Sequence, residues 1–325
     1  MRPFEYLRAG SEAEAVASGG RFLAGGTNLL DLMRLDVERP ARLTDITRLP
    51  LRDIQETAGG GLRIGALASN TSVAEHPLVR ARAPLLSEAL LAGASQQLRN
   101  MASMSGNIMQ RTRCPYFRNL DFPHCNKREL GSGCGALEGD HRKHAVLGTS
   151  SCCVAVHASD AAVALVALDC SVTLHGPEGE REVPLRDFLL QPGDHPEREH
   201  DLRRGELIVA LTLPALPWAV NATYLKVRER ESYAFALASA AVAADLDGRT
   251  VRDVRIALGG VGTVPWRATA AEAQLRGQPA TRANFEAAAL AALAGAQPLP
   301  QNRYKVQLAS SVIVRALERV TGASA

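Results

Sequence analysis

Six cysteines stand in this chain of 325 residues, and all of them fall between Cys114 and Cys170. Cys114, Cys125 and Cys134 lie in a stretch where neither helical nor strand periodicity survives, and Cys152 with Cys153 closes it. A segment of that kind can wrap thiolates round an inorganic core from several directions, which is the ligation an iron-sulfur cluster requires. Structural zinc is the main rival, but its sites usually carry paired C-x2–4-C ligands, whereas Cys152 and Cys153 are directly adjacent. Scattered buried thiols fit poorly with a stretch so rich in Arg, His and Gly. Cys170, at the start of a strand-like run, reads as a core residue.

A second kind of chemistry is written in glycines. The string Phe22-Leu23-Ala24-Gly25-Gly26-Thr27-Asn28-Leu29 has the makings of a pyrophosphate cradle, because two glycines expose backbone N–H groups and a helical run follows. Ser103-Met104-Ser105-Gly106-Asn107 combines hydroxyls, an amide and a glycine, and offers further donors from a polar loop. Ser159-Asp160 presents a carboxylate that can hold a ribose, beside its commoner use as a helix cap. Gly259-Gly260-Val261-Gly262 is not a nicotinamide site, since Pro265 stands where G-x-G-x-x-G needs its last glycine.

The elements that must position these residues follow from periodicity. A strand over 21–24 runs through the glycine pair into a helix over 28–34, and a strand over 62–66 precedes a helix whose start is marked by Ser72 and Glu75 as a capping box. A helix spans 84–92, an irregular segment 110–148, and a helix over 160–168 is capped by Ser159. Strands over 171–175 and 206–213 are joined by a polar connection. Beyond Pro217, strands over 223–228, 234–245 and 251–258 form an antiparallel meander with a turn at Asp247-Gly248. Helices over 266–275, 284–294 and 302–320 complete the chain.

The length suggests about two domains at roughly 100–200 residues each, with a boundary near 214–218. A hydrophobic fraction of 46% and a charged fraction of 22% are those of a globular protein. No stretch approaches the roughly 18 consecutive apolar residues of a membrane span, and residues 1–10 do not read as a secretory signal. A net charge of +3 with 4% aromatic residues gives neither the basic face nor the stacking platforms of a nucleic-acid binder.

Taken together, in this order and with the meander behind them, these segments closely resemble the flavoprotein subunit of the xanthine dehydrogenase and aldehyde oxidase family of molybdenum hydroxylases, over nearly the whole chain. The resemblance implies an α+β fold: a PCMH/VAO-type FAD-binding domain of two α/β subdomains over 1–216, with an iron-sulfur insert at about 110–153, then a C-terminal domain over 217–325 with a three-stranded antiparallel sheet and a helical bundle. By the same resemblance the loops at Phe22–Leu29 and Ser103–Asn107 bind the FAD pyrophosphate, Asp160 contacts the adenosine half, and Ile208 and Lys226 approach the flavin. The second loop departs from the family in having Ser105-Gly106 where paired glycines are usual.

The strings around Cys114, Cys125 and Cys134 look like the subset of the family, including the periplasmic aldehyde oxidases, whose flavin subunit holds a [4Fe-4S] cluster; the fourth ligand implied is Cys153, leaving Cys152 spare. Partners implied are a large molybdenum-cofactor subunit and a small [2Fe-2S] subunit, in a heterotrimer or its dimer that converts an aldehyde to a carboxylic acid. No residue of this chain is then a catalytic acid or base, and Tyr233 is the candidate for covering the flavin face. A benzoyl-CoA-type reductase or xanthine dehydrogenase subunit is the nearest alternative, and a zinc-stabilised binding module the alternative outside the enzymes. The complex is expected to be soluble, in the cytoplasm or carried to the periplasm with a signal-bearing partner.

Overall fold

The computed structural model describes residues 1–323 and is built on three sheets. At the N-terminus Glu5–Arg8 and Arg21–Leu23 flank Arg42–Asp45, all parallel. Parallel strands need crossovers, which the helices Glu12–Ala17 and Leu29–Arg34 supply. The second sheet is antiparallel, in the order Ile54–Glu56, Leu62–Gly65, Leu207–Leu213, Ser171–Gly176, Gly179–Pro184. Its central strand Leu207–Leu213 is buried at every position but Thr212, which is why its sequence is an apolar run and not an alternation.

The helix Asp160–Ala167 is buried at every position after Asp160. It packs between the Pro84–Ala92 helix and the C-terminal sheet, and a helix apolar on all sides belongs in such a place. Ser159 caps it as expected, its Oγ accepting from the Ala162 N–H at 2.9 Å. The cap fixes Asp160 at the mouth of a cleft between the two halves of the molecule.

The C-terminal sheet corrects one expectation. Ala222–Val227, Ala238–Asp247 and Thr250–Gly259 form the meander, but Trp266–Arg267 adds a fourth strand against Ala257 and Leu258. Two residues carry no periodicity, so this strand reads as the start of the helix that in fact begins at Thr269. Residues 234–237, expected in the strand before the turn, lie outside it and line the cleft. The helices Arg282–Leu293 and Tyr304–Thr321 share one apolar core with this sheet.

Three further corrections are local. The helix expected to start at Ser72 is Asn70–Glu75, capped by Ser69, whose Oγ accepts from the Ser72 N–H at 3.0 Å. The polar connection after residue 176 hides the strand Gly179–Pro184, buried at no position and therefore polar. Ser103–Asn107 is not a loop: Ser103 caps a short helix, Met104–Ile108. Among the described residues no helix is long and apolar enough to cross a membrane.

Candidate functional site

A cleft of about 990 Å³ runs between the N-terminal and C-terminal parts of the chain. Its walls include Thr27 and Asn28, Gly106 and Asn107, Asp160 and Lys226, and Tyr233 and Phe235. Six side-chain nitrogen or oxygen atoms among the described residues are buried without a hydrogen-bond partner, and five belong to residues lining this cleft: Asn28 Nδ2, Asn70 Oδ1, Arg99 Nε, Arg118 Nη1 and His144 Nδ1. Buried polar atoms are ordinarily paired. A concentration of unspent donors and acceptors round one cavity is the signature of a site built for a polar ligand.

The first glycine loop meets this cleft at its far end. Among the described residues, no protein acceptor takes the backbone N–H of Gly25, Gly26, Thr27 or Asn28. Gly26 is left-handed at φ 72°, a region glycine enters freely. Gly25 is glycine for another reason: a Cβ there would lie 1.8 Å from the Met101 carbonyl oxygen, so the loop rests directly on the backbone that leads into Ser103. Asn28 accepts from the Arg111 N–H at 3.1 Å, tying the loop to the start of the cysteine insert. Phe22 and Leu23 belong to the strand behind, Ala24 to the bend that follows it and Leu29 to the helix beyond; none of the four lines the cleft.

The second segment differs from expectation. Met104 and Ser105 give their N–H groups to the carbonyls of Ala68 and Ala66, and Gly106 and Asn107 give theirs to Ser103. The four backbone donors of Met104 to Asn107 are thus spent within the protein, and Ser103, Met104 and Ser105 are buried. Gly106 and the Asn107 side chain face the cleft, Asn107 Oδ1 accepting from Ser159 Oγ at 2.5 Å. Ser105 is not among the residues of positive φ, so no glycine is needed there.

Asp160 and Lys226, assigned by resemblance to opposite halves of FAD, form one ion pair at 2.8 Å. They therefore serve the same end of any ligand. Asp160 also accepts from the Tyr224 hydroxyl at 2.7 Å, and Lys226 donates to the Ala92 carbonyl at 3.1 Å. Ile208 lies in the core of the five-stranded sheet and not in the cleft. Tyr233 lines the cleft, is 55% exposed and has φ 51°, a backbone region costly to a bulky residue. Beside it Arg113 places its guanidinium 5.2 Å over the Phe235 ring, with no carboxylate in salt-bridge range among the described residues; burial lowers its pKa to about 10.

The cysteines of the insert converge. Cys114, Cys125, Cys134, Cys152 and Cys153 line one small cavity. Cys125 and Cys134 face one another across a two-residue bridge, held by Asn126, whose Oδ1 accepts from the Gly131 and Gly133 N–H groups at 3.0 Å. Ser150 Oγ accepts from the N–H groups of Cys152 and Cys153, and the Ala155 N–H points at Cys153 Sγ from 3.4 Å. Burial pushes the Cys114 thiol up to about 12 and that of Cys153 to about 11.

Among the described residues no three His, Cys, Asp or Glu side chains stand close enough to share a single metal ion. The insert is pinned from outside by a buried charge network: Arg111 pairs with Glu38 at 2.7 Å and with Glu199, which also receives Lys127 at 2.8 Å. Burial raises the Glu199 pKa, but Lys127 and Arg111 outweigh it and hold the group at about 2. Cys170 is buried in the core apart from these.

Comparison with known proteins assigns the chain to a family. Residues 2–216 match the FAD binding domain in molybdopterin dehydrogenase, and residues 223–320 match the CO dehydrogenase flavoprotein C-terminal domain. This chain belongs to the FAD-binding subunits of the molybdenum hydroxylase family. Within that family it is 49% identical to the aldehyde oxidoreductase FAD-binding subunit PaoB of Escherichia coli K12, over 98% of each chain. It is 30% identical to the carbon monoxide dehydrogenase medium chain of Hydrogenophaga pseudoflava, over 97% of this chain and 96% of that one. The solved carbon monoxide dehydrogenase of H. pseudoflava superposes with a TM-score of 0.77 at 30% identity, covering 100% of both chains.

Several residues of this FAD-binding subunit escape a reading of sequence alone. His144, in the insert, is buried; its Nε2 lies 3.2 Å from Cys114 Sγ, and burial lowers its pKa to about 4. His141 is buried too, but bonds the Ala136 carbonyl and the Gln301 N–H. Lys305 is fully buried and donates to the carbonyls of Lys143, His144 and Gly260 at 2.9, 3.1 and 2.6 Å. Asn70 and Arg99 sit on short helices with no motif to mark them.

Proposed function

We propose that this chain carries FAD in the cleft and a [4Fe-4S] cluster in the insert, and serves as the electron-transfer subunit of a molybdenum-dependent aldehyde oxidoreductase. The observation that carries the FAD reading is the gathering of five unspent buried polar atoms on residues lining one cleft, together with the free N–H groups of the Gly25 to Asn28 loop, which enters that cleft at Thr27 and Asn28. Bound FAD supplies the means to take electrons singly or in pairs and pass them to an acceptor. The chain's own residues do the rest. Gly25, Gly26, Thr27 and Asn28 present N–H donors to the pyrophosphate, Gly106 and Asn107 complete that wall, and the Asp160–Lys226 pair and Tyr233 bound the part of the cleft assigned to the flavin ring. The division into domains over 1–216 and 217–325 belongs to this reading.

Support for the cluster is the set of thiols lining one cavity and the Ala155 N–H aimed at the Cys153 sulfur, as a thiolate ligand of a cluster requires. The ligands proposed are Cys114, Cys125, Cys134 and Cys153; Cys152 lines the same cavity beside them. The partners proposed are a large molybdenum-cofactor subunit that oxidises the aldehyde and a small [2Fe-2S] subunit that delivers its electrons. The aldehyde substrate rests on the 49% identity to the E. coli subunit.

The test is iron and FAD analysis of the purified complex, wild type against Cys125→Ser. Loss of about four irons per chain with FAD retained supports both cofactors. Equal iron in the two proteins, or zinc in place of iron, removes the cluster and leaves the FAD reading standing.

A further inference from the structure

The turn at Leu91 to Ala94 is held from one side by Arg99. Its Nη1 donates to the carbonyls of Gly93 at 2.8 Å, Ala94 at 3.4 Å and Leu91 at 3.5 Å. Ala94 is left-handed at φ 50°, a conformation that a residue with a Cβ adopts only when its surroundings impose it. This is the C-terminal end of the Pro84–Ala92 helix, whose last carbonyls attract cations, and Lys226 and Arg228 both donate to Ala92 from the other side. The turn is therefore a fixed wall, and Gly93, Ala94, Arg99, Asp160 and Lys226 all line the same cleft.

Holding the turn does not use Arg99 up. Its Nε is buried and unpartnered, and no carboxylate lies in salt-bridge range among the described residues. Across the junction of the short helices Asn70–Glu75 and Gln96–Met101, joined by Thr71 Oγ1 donating to Asn100 Oδ1 at 2.6 Å, Asn70 Oδ1 is likewise buried and unpartnered. One wall of the cleft thus offers an unspent donor that carries charge and an unspent acceptor. Two parts of FAD have the complementary pattern, the adenine edge and the pyrimidine edge of the flavin ring with carbonyl acceptors on either side of an N–H donor, and of these the flavin alone gains the negative charge, on reduction, that a guanidinium answers.

Resting on the FAD reading above, we infer that Arg99 and Asn70 are recognition residues for the polar edge of the flavin ring, Arg99 donating through Nε to a ring carbonyl and Asn70 accepting the ring N–H. Because the guanidinium favours the form bearing more negative charge, Arg99 makes the bound flavin easier to reduce, in addition to anchoring it.

The experiment uses the assembled complex, stripped of FAD and retitrated, followed by flavin reduction potential and FAD dissociation constant for wild type, Arg99→Met and Arg228→Met. Arg228 holds the same turn but does not line the cleft, so it reports a purely structural role. Arg99→Met is expected to weaken FAD binding about tenfold and to favour the oxidised flavin by about a further tenfold, a shift of about 30 mV to lower potential for a two-electron couple. Arg228→Met is expected to move the potential by less than a third of that. The inference is overturned if Arg99→Met weakens binding without moving the potential, which places the contact on the adenosine half, or if Arg228→Met reproduces the full shift. Should Arg99→Met not assemble, Arg99→Lys keeps the charge but lacks Nε; it is expected to bind FAD more weakly with a potential close to wild type, and unaltered binding overturns the proposed Nε contact. A wild-type complex that takes up no FAD contradicts the FAD reading itself.

Discussion

Replacing Gly25 by alanine tests the join between the two segments that form the pyrophosphate wall. The added Cβ would stand 1.8 Å from the Met101 carbonyl oxygen and 2.7 Å from its carbon, where real contacts of this kind do not fall below 3.0 Å. Both partners are backbone, so no side chain can swing away, and the two segments must separate by more than 1 Å. That distance is enough to break hydrogen bonds whose useful range spans only a few tenths of an ångström. Losing two charge-assisted bonds from the Gly25–Asn28 donors costs about 3 kcal/mol, or roughly two orders of magnitude in affinity. Fluorescence titration of the FAD-stripped complex reads this directly. Gly59→Ala, whose new methyl meets nothing within 4 Å, is the control and is expected to bind as wild type. A Gly25→Ala complex that binds FAD within threefold of wild type would refute the geometry assigned to this wall.

Lys305→Met leaves three buried carbonyls without their donor and is expected to destabilise the chain by about 2–4 kcal/mol, read as a lowered melting temperature. Burial lowers the Lys305 pKa from 10.5 to about 7, so between those values the unfolded chain binds more protons; wild type gains stability as pH rises through that window and the Met variant does not. His157 and His200 are both lowered by burial from 6.5 to about 4, so stability from these groups is present above pH 6.5 and lost as pH falls towards 4, about 1–3 kcal/mol each. Denaturant midpoints at pH 7.5 and 4.5 check this, and a flat profile contradicts it. Tyr233→Ala is expected to speed reaction of the reduced complex with a small artificial acceptor several-fold by uncovering the wide end of the cleft; an unchanged rate with unchanged flavin potential removes Tyr233 from the site.

Much of this was legible in the sequence because it depends on local chemistry. Gly25-Gly26 announces a turn with free N–H groups, Ser159 a cap, and the run after Asp160 a helix buried on all sides. The cysteine-rich segment stood out because no periodicity competes with it, and its thiols do converge. What escaped has a common cause. Ser103–Asn107 reads as a donor loop, yet the N–H groups of Met104 and Ser105 are taken by Ala68 and Ala66, more than thirty residues earlier in the chain, and those of Gly106 and Asn107 by Ser103. Asp160 and Lys226 were separable in sequence and are one ion pair in space. Arg99, Lys305 and His144 act through partners that tertiary packing alone supplies, and isolated Arg, Lys and His residues carry no signal of such partners. The two-residue strand Trp266–Arg267 is too short for any pattern.

The measurement that bears most directly on the account is anaerobic addition of an aldehyde to the purified complex while the absorption of oxidised flavin is followed. The account predicts flavin absorption in a ratio of about one per copy of this chain, bleached by the aldehyde and restored by an electron acceptor. A complex with no flavin, or with a flavin that stays oxidised while the aldehyde is consumed, would contradict it.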